Sequence, residues 1–106
     1  DDRVVLISDS MRATGMPDGE YTLGGQDVTV KGALATLRDG TIAGSATNLY
    51  DCMMNAVSMG IPLESAIKAA TINPAKSIGI DNIVGSIEPG KRADILCMGD
   101  CPRVVK

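Results

Sequence analysis

The chain has 106 residues, a formal net charge of -3 and no histidine: one domain's length, no basic footprint for nucleic acid or an anionic membrane, and no Ser-His triad, histidine base or His-ligated zinc. Its 44% apolar share is aliphatic, with Tyr21 and Tyr50 the only aromatics, so a core must be built from many small contacts and part of the packing surface is expected to belong to a larger body. No apolar run reaches the ~20 residues of a bilayer span, Asp1-Asp2-Arg3 is not a signal-peptide start, and Cys97 and Cys101 are spaced too widely for a zinc knuckle or redox pair, which leads to the expectation of a soluble, cytoplasmic protein with reduced thiols.

Val4-Val5-Leu6-Ile7 is a short, mainly β-branched run that stops at Ser8-Asp9-Ser10, the pattern of a strand buried on both faces in a parallel sheet or barrel. Met11 to Gly19 reads as loop, with Asp18 as a turn former. Three strands are predicted over Glu20–Leu23, Asp27–Lys31 and Ala33–Leu37, divided by Gly24-Gly25 and Gly32. Val28 and Val30 alternate with Thr29 and Lys31, so these strands should be antiparallel and half exposed. After Asp39-Gly40 the pattern turns helical. Leu49, Met53, Ala56 and Val57 share a face, Ser45 or Thr47 is the candidate cap, and Gly60 is the stop. Pro62 opens a second helix carrying Leu63, Ala66, Ile67 and Ala70 on one side, and Asn73-Pro74 opens a third that Gly79 ends. Met53, Met54 and Met59 read as adaptable core or interface. Pro89-Gly90 predicts a type II turn, Asp94 a local hydrogen-bonding role, and Ile95–Met98 a strand. The β-branched run beginning at Val104-Val105-Lys106, like the one at the start, reads as an interrupted element.

The chemistry rests on carboxylates. An acid at the end of a buried parallel strand is how α/β barrels place catalytic groups on their rim, and Asp9 has that position. Its local context alone favours a turn cap over a catalyst.

The wider pattern is more specific. Leu6-Ile7-Ser8-Asp9-Ser10-Met11, then Gly15-Met16-Pro17-Asp18-Gly19-Glu20-Tyr21-Thr22-Leu23-Gly24-Gly25, then Asp39-Gly40-Thr41-Ile42-Ala43-Gly44-Ser45, resembles N-acetylglucosamine-6-phosphate deacetylases in order and spacing. Asn73-Pro74-Ala75 and Gly85-Ser86-Ile87-Glu88-Pro89-Gly90-Lys91-Arg92-Ala93-Asp94 resemble a tail shared across the amidohydrolase superfamily. The resemblance implies an α/β fold, the C-terminal portion of a TIM-barrel-like amidohydrolase with part of a small β-sandwich. Residues 1–19 would be the last barrel strand and catalytic loop, 20–38 a sandwich excursion, 39–80 barrel helices, and 81–106 C-terminal sandwich strands. It implies hydrolysis of the acetamide of N-acetylglucosamine 6-phosphate, with Asp9 as general acid and base and Ile42, Ala43 and Gly44 against the substrate. It further implies a divalent metal, zinc or iron, whose ligands lie upstream and not in this chain, and a homo-oligomer that works on a phosphorylated amino sugar without nucleic acid or membrane partners; the chain by itself should be inactive. The shared tail leaves two alternatives: an amidohydrolase of cyclic imides or N-acyl amino acids, and a non-catalytic interaction module.

Overall fold

The computed structural model describes residues 1–98 and the backbone of residues 104 and 105. A four-stranded antiparallel meander comes first: β1 (Gly19–Leu23), β2 (Gln26–Lys31), β3 (Leu34–Leu37) and β4 (Ile42–Ser45), in that order. Helices α1 (Leu49–Ser58), α2 (Leu63–Ala70) and α3 (Ile72–Ser77) follow, and then a short antiparallel pair, β5 (Cys97–Met98) with β6 (Val104–Val105). Mixed α and β content agrees with the sequence expectation. So do the three strands built on alternation, each within about one residue of its predicted bounds.

Alternation drives the sheet. Val28 and Val30 point to one face and are fully buried, paired across the ladders with Tyr21 and Leu37 and with Ala35. Met11 and Ala13, from the loop before β1, close that face. Burial of each valine contributes about 2 kcal/mol. Asp18 ties the first hairpin to the second, since its Oδ1 accepts the Gly32 N–H at 2.9 Å. Between β3 and β4 the chain reverses at Asp39-Gly40, where Gly40 has φ 86°. The Thr41 N–H donates to Asp39 Oδ1 at 3.0 Å and holds that exposed carboxyl below the usual carboxylate range.

The helices end as their glycines predict. Beyond α1, Gly60 N–H bonds Val57 C=O and Ile61 N–H bonds Ala56 C=O, and beyond α3 Gly79 and Ile80 repeat the arrangement on Lys76 and Ala75. Both are Schellman motifs, which need a left-handed residue after the cap, and Gly60 and Gly79 supply it at φ 97° and 73°. The start of α1 corrects the sequence reading. Asn48, not Ser45 or Thr47, is the N-cap: its Oδ1 accepts Asp51 N–H at 2.9 Å while its Nδ2 donates to Asp51 Oδ2 at 2.8 Å. Ser45 Oγ is already engaged by the Thr47 N–H. Asn48→Ala should cost about 1 kcal/mol, read as a lowered midpoint in a thermal melt. Pro62 is likewise the N-cap of α2 rather than its first helical residue, and Ala66 and Ala69 form its buried side. Asn73 sits inside α3 instead of opening it. It is 2% exposed, and its Nδ2 donates to the carbonyls of Val4 at 2.8 Å and Asp1 at 3.1 Å.

Those two bonds bear on the largest departure. Val4–Ile7 belongs to no strand or sheet among the described residues, and Val4, Val5 and Ile7 are 48%, 38% and 76% exposed. A ladder needs a neighbouring strand. Here the segment is held by Asn73, by the Leu6 N–H on Ala69 C=O at 2.8 Å, and by one isolated parallel bridge at its end, Ser10 to Ser45. The Cα radius of gyration, 15.9 Å, exceeds the about 13 Å of a compact domain of this length.

Glu88-Pro89-Gly90-Lys91 is the predicted turn. Lys91 N–H bonds Glu88 C=O at 3.2 Å and Gly90 takes φ 89°, as a type II turn requires. Asp94 pairs with Arg92 at 3.1 Å on the surface. Of the methionines, Met53 is buried and Met59 exposed. Cys101 lies outside the described residues, and Cys52 and Cys97 are free thiols.

Candidate functional site

Asp9 is the one non-glycine residue with positive φ among the described residues, at 50°. A left-handed aspartate costs about 1 to 2 kcal/mol relative to the right-handed form and persists only where its surroundings over-determine it. The surroundings do so from β4. The Ser45 N–H donates to Asp9 C=O at 3.0 Å, and the Met11 N–H donates to Ser45 C=O at 2.9 Å. These two bonds straddle Ser10 and form the parallel bridge.

The same register sets Gly44 against the aspartate. A Cβ on Gly44 would lie 3.6 Å from the Asp9 carbonyl oxygen and 4.0 Å from Oδ2, so the exposed carboxylate stands over bare backbone. The β3–β4 register shifts here: Ala35 opposes Gly44 and Thr36 opposes Ile42, leaving Ala43 between them without a partner on β3. Such bulges re-aim the chain and recur beside active sites. Ala43 packs on the sheet core and Ile42 is exposed at the start of β4. The sequence reading gave Ile42, Ala43 and Gly44 no strand. They are a strand, because β3 provides a ladder that their own composition does not predict.

Four hydroxyl residues around Asp9, Ser8, Ser10, Ser45 and Thr47, had no place in the site by the sequence reading. Ser10 Oγ hydrogen-bonds the Thr47 carbonyl and lies 2.6 Å from Ser8 Oγ, and Ser45 Oγ accepts the Thr47 N–H at 3.0 Å. The serines on either side of Asp9 are the only local signal, since the other partners come from β4 and the turn after it.

Metal ligands are a different matter. Among the described residues no three His, Cys, Asp or Glu side chains gather as a metal site, and the sequence has no imidazole to offer. The described residues therefore do not fit a metal by themselves. A cavity of about 810 Å³ between the helices and residues 84–98 is lined by Met53, Ile67, Ile78, Val84, Ile95 and Leu96 among others, and Asp9 does not line it. It is a packing groove without a catalytic constellation.

The sequence pattern of the Amidohydrolase family matches residues 3–105. The chain belongs to the amidohydrolase family. This amidohydrolase chain is 40% identical over 98 residues to a protein of Escherichia coli K12 named putative N-acetylgalactosamine-6-phosphate deacetylase, covering 92% of the chain and 59% of that protein. It is 41% identical over 97 residues to the N-acetylglucosamine-6-phosphate deacetylase of Vibrio furnissii, covering 91% and 24%. Its fold is similar to the crystal structure of N-acetylglucosamine-6-phosphate deacetylase from Pasteurella multocida, with a TM-score of 0.91 and 31% identity over 97% of this chain and 27% of that one. The amidohydrolase chain thus spans between a quarter and three-fifths of the length of these relatives. Amidohydrolases are generally metal-dependent, and no helix among the described residues is long and apolar enough to cross a membrane.

Proposed function

We propose that this chain is the aspartate-bearing portion of an N-acetylglucosamine-6-phosphate deacetylase, which cleaves the acetamide to glucosamine 6-phosphate and acetate. The observation that carries the reading is the strained Asp9 held against side-chain-free Gly44, within a chain similar to enzymes so named. In amide hydrolysis water adds to the carbonyl carbon and the C–N bond breaks, but an amine leaves poorly until it is protonated. Asp9 takes the proton of the attacking water and delivers it to the departing nitrogen, the exchange a carboxylate within hydrogen-bond reach can perform in both directions. Gly44 lets the substrate approach the backbone, with Ala43 and Ile42 continuing that surface.

The divalent metal of this reading, zinc or iron, supplies Lewis acidity and is held by residues outside the chain, so the chain by itself is inactive. Residues 1–19 then complete a TIM-like barrel as its last strand and catalytic loop. Residues 20–38 form the sandwich excursion, 39–80 return to the barrel, and 81–106 close the sandwich. The exposed apolar side chains of Val4, Val5 and Ile7 support this, since neighbouring strands would cover them. The whole enzyme is a cytoplasmic homo-oligomer acting on a phosphorylated sugar. A second reading, the galactosamine epimer as substrate, is favoured by the relative of that name at 40% identity.

Acetate release by the complete polypeptide tests these readings. N-acetylglucosamine 6-phosphate should be turned over and the unphosphorylated sugar poorly. Faster turnover of the galactosamine epimer selects the second reading. Hydrolysis of an N-acyl amino acid or a cyclic imide in place of both sugar phosphates overturns both.

A further inference from the structure

We infer that Ser10 is a positioning residue for Asp9, holding the carboxylate in line through a hydroxyl relay to Thr47. The inference rests on the acid-base reading of Asp9 given above. At φ 50° Asp9 lies in the left-handed region, where its surroundings must hold it. Its two backbone ties to Ser45 would form whatever residue stood at position 10. The side-chain tie is different. Ser10 has a single hydroxyl proton, and the Thr47 carbonyl can only accept, so that proton goes to Thr47 and the Ser8 hydroxyl, 2.6 Å away, donates to Ser10 Oγ.

The relay Ser8 to Ser10 to Thr47 clamps the residues before and after Asp9 onto the segment that follows Gly44. Thr47 is itself fixed, because its N–H is held by Ser45 Oγ. The carboxylate and the bare backbone of Gly44, between which the reacting group must sit, therefore move as one body. Without the Ser10 hydroxyl, the Thr47 carbonyl loses its donor and Ser8 its acceptor. The backbone ties to Ser45 remain, but the residues flanking Asp9 are no longer clamped to Thr47, and the carboxylate is held less closely in line. A displaced acid-base group slows turnover and leaves ground-state binding almost untouched.

The test compares Ser10→Ala, Ser10→Thr, Asp9→Asn and the Ser10→Ala/Asp9→Asn double variant in the complete polypeptide, with acetate release from N-acetylglucosamine 6-phosphate as the assay. Ser10→Ala should lower kcat about tenfold with KM within about twofold, and Ser10→Thr, which keeps the hydroxyl, should restore it. In the Asp9→Asn background Ser10→Ala should have no further effect, because its influence passes through the carboxylate. A Ser10→Ala enzyme with kcat within about twofold of wild type, or an equal loss in both backgrounds, overturns the positioning role. Wild-type kcat in Asp9→Asn overturns instead the reading of Asp9 on which it rests.

Discussion

Asp9→Asn in the complete polypeptide should reduce kcat for acetate release by roughly 10²- to 10⁴-fold, the usual contribution of a general acid-base group, while leaving the thermal midpoint within about a degree of wild type. Asparagine has the shape of aspartate and is among the few residues that adopt the left-handed region readily. The ties that hold the turn run through the Asp9 carbonyl and the Ser45 backbone, which the substitution does not touch. Asparagine retains a hydrogen-bonding side chain but cannot take up or return a proton. Steady-state kinetics together with a melt therefore separate the two readings of this residue. A turn former would survive the change with full turnover, and a proton shuttle would not. Metal content measured on the same preparation should be unchanged, since Asp9 is not read as a ligand.

Gly85→Ala should be the most damaging added methyl among the described glycines. A Cβ at this position would lie 2.9 Å from Ala75 Cβ, 3.1 Å from Ile72 Cα and 3.3 Å from Ile72 Cδ1, and Gly85 has φ 93°. Two of the three obstacles belong to a helix backbone or its shortest side chain, and neither can rotate away. Overpacking of this kind costs about 1 to 3 kcal/mol, and the left-handed backbone adds about 1 kcal/mol. The expected fall in thermal midpoint is several degrees. Gly24→Ala is the matching control, with φ 57° and open space around its Cβ. It should show the backbone part alone, so a loss at Gly85 no larger than at Gly24 would remove the close approach of residue 85 to α3 as a determinant of packing.

What the sequence made legible was whatever depended on neighbours a few residues away. Gly60 and Gly79 identified their helix ends because the Schellman motif needs a left-handed residue within two positions of the last turn. Val28 and Val30 revealed β2 because a strand's period is two. Strand β4 was hidden, since Ile42-Ala43-Gly44 has no alternation and only Ile42 favours a strand, so it is one only because Leu34, Ala35 and Thr36 lie beside it. Asn73 looked like a helix start, whereas its amide spans 69 residues to the Val4 carbonyl. The site divides in the same way. Asp9 was visible as a strand-end acid and gained its role from resemblance. The Ser10 hydroxyl could not be assigned, because its acceptor is 37 residues further along the chain.

The bridge between Ser10 and Ser45 has one more consequence. Bridged residues stand about 5 Å apart, so the chain leaves the site and comes back to it at almost the same point. The three hairpin turns between are an excursion with closed ends. Its outer turn at Gly24-Gly25 can be lengthened or trimmed by a few residues at a closure cost that grows only logarithmically, without altering the distance from Asp9 to Gly44. Size variation among chains of this fold should therefore collect at that tip, which makes it the natural place to splice in a tag or a sensor without disturbing the Asp9 turn.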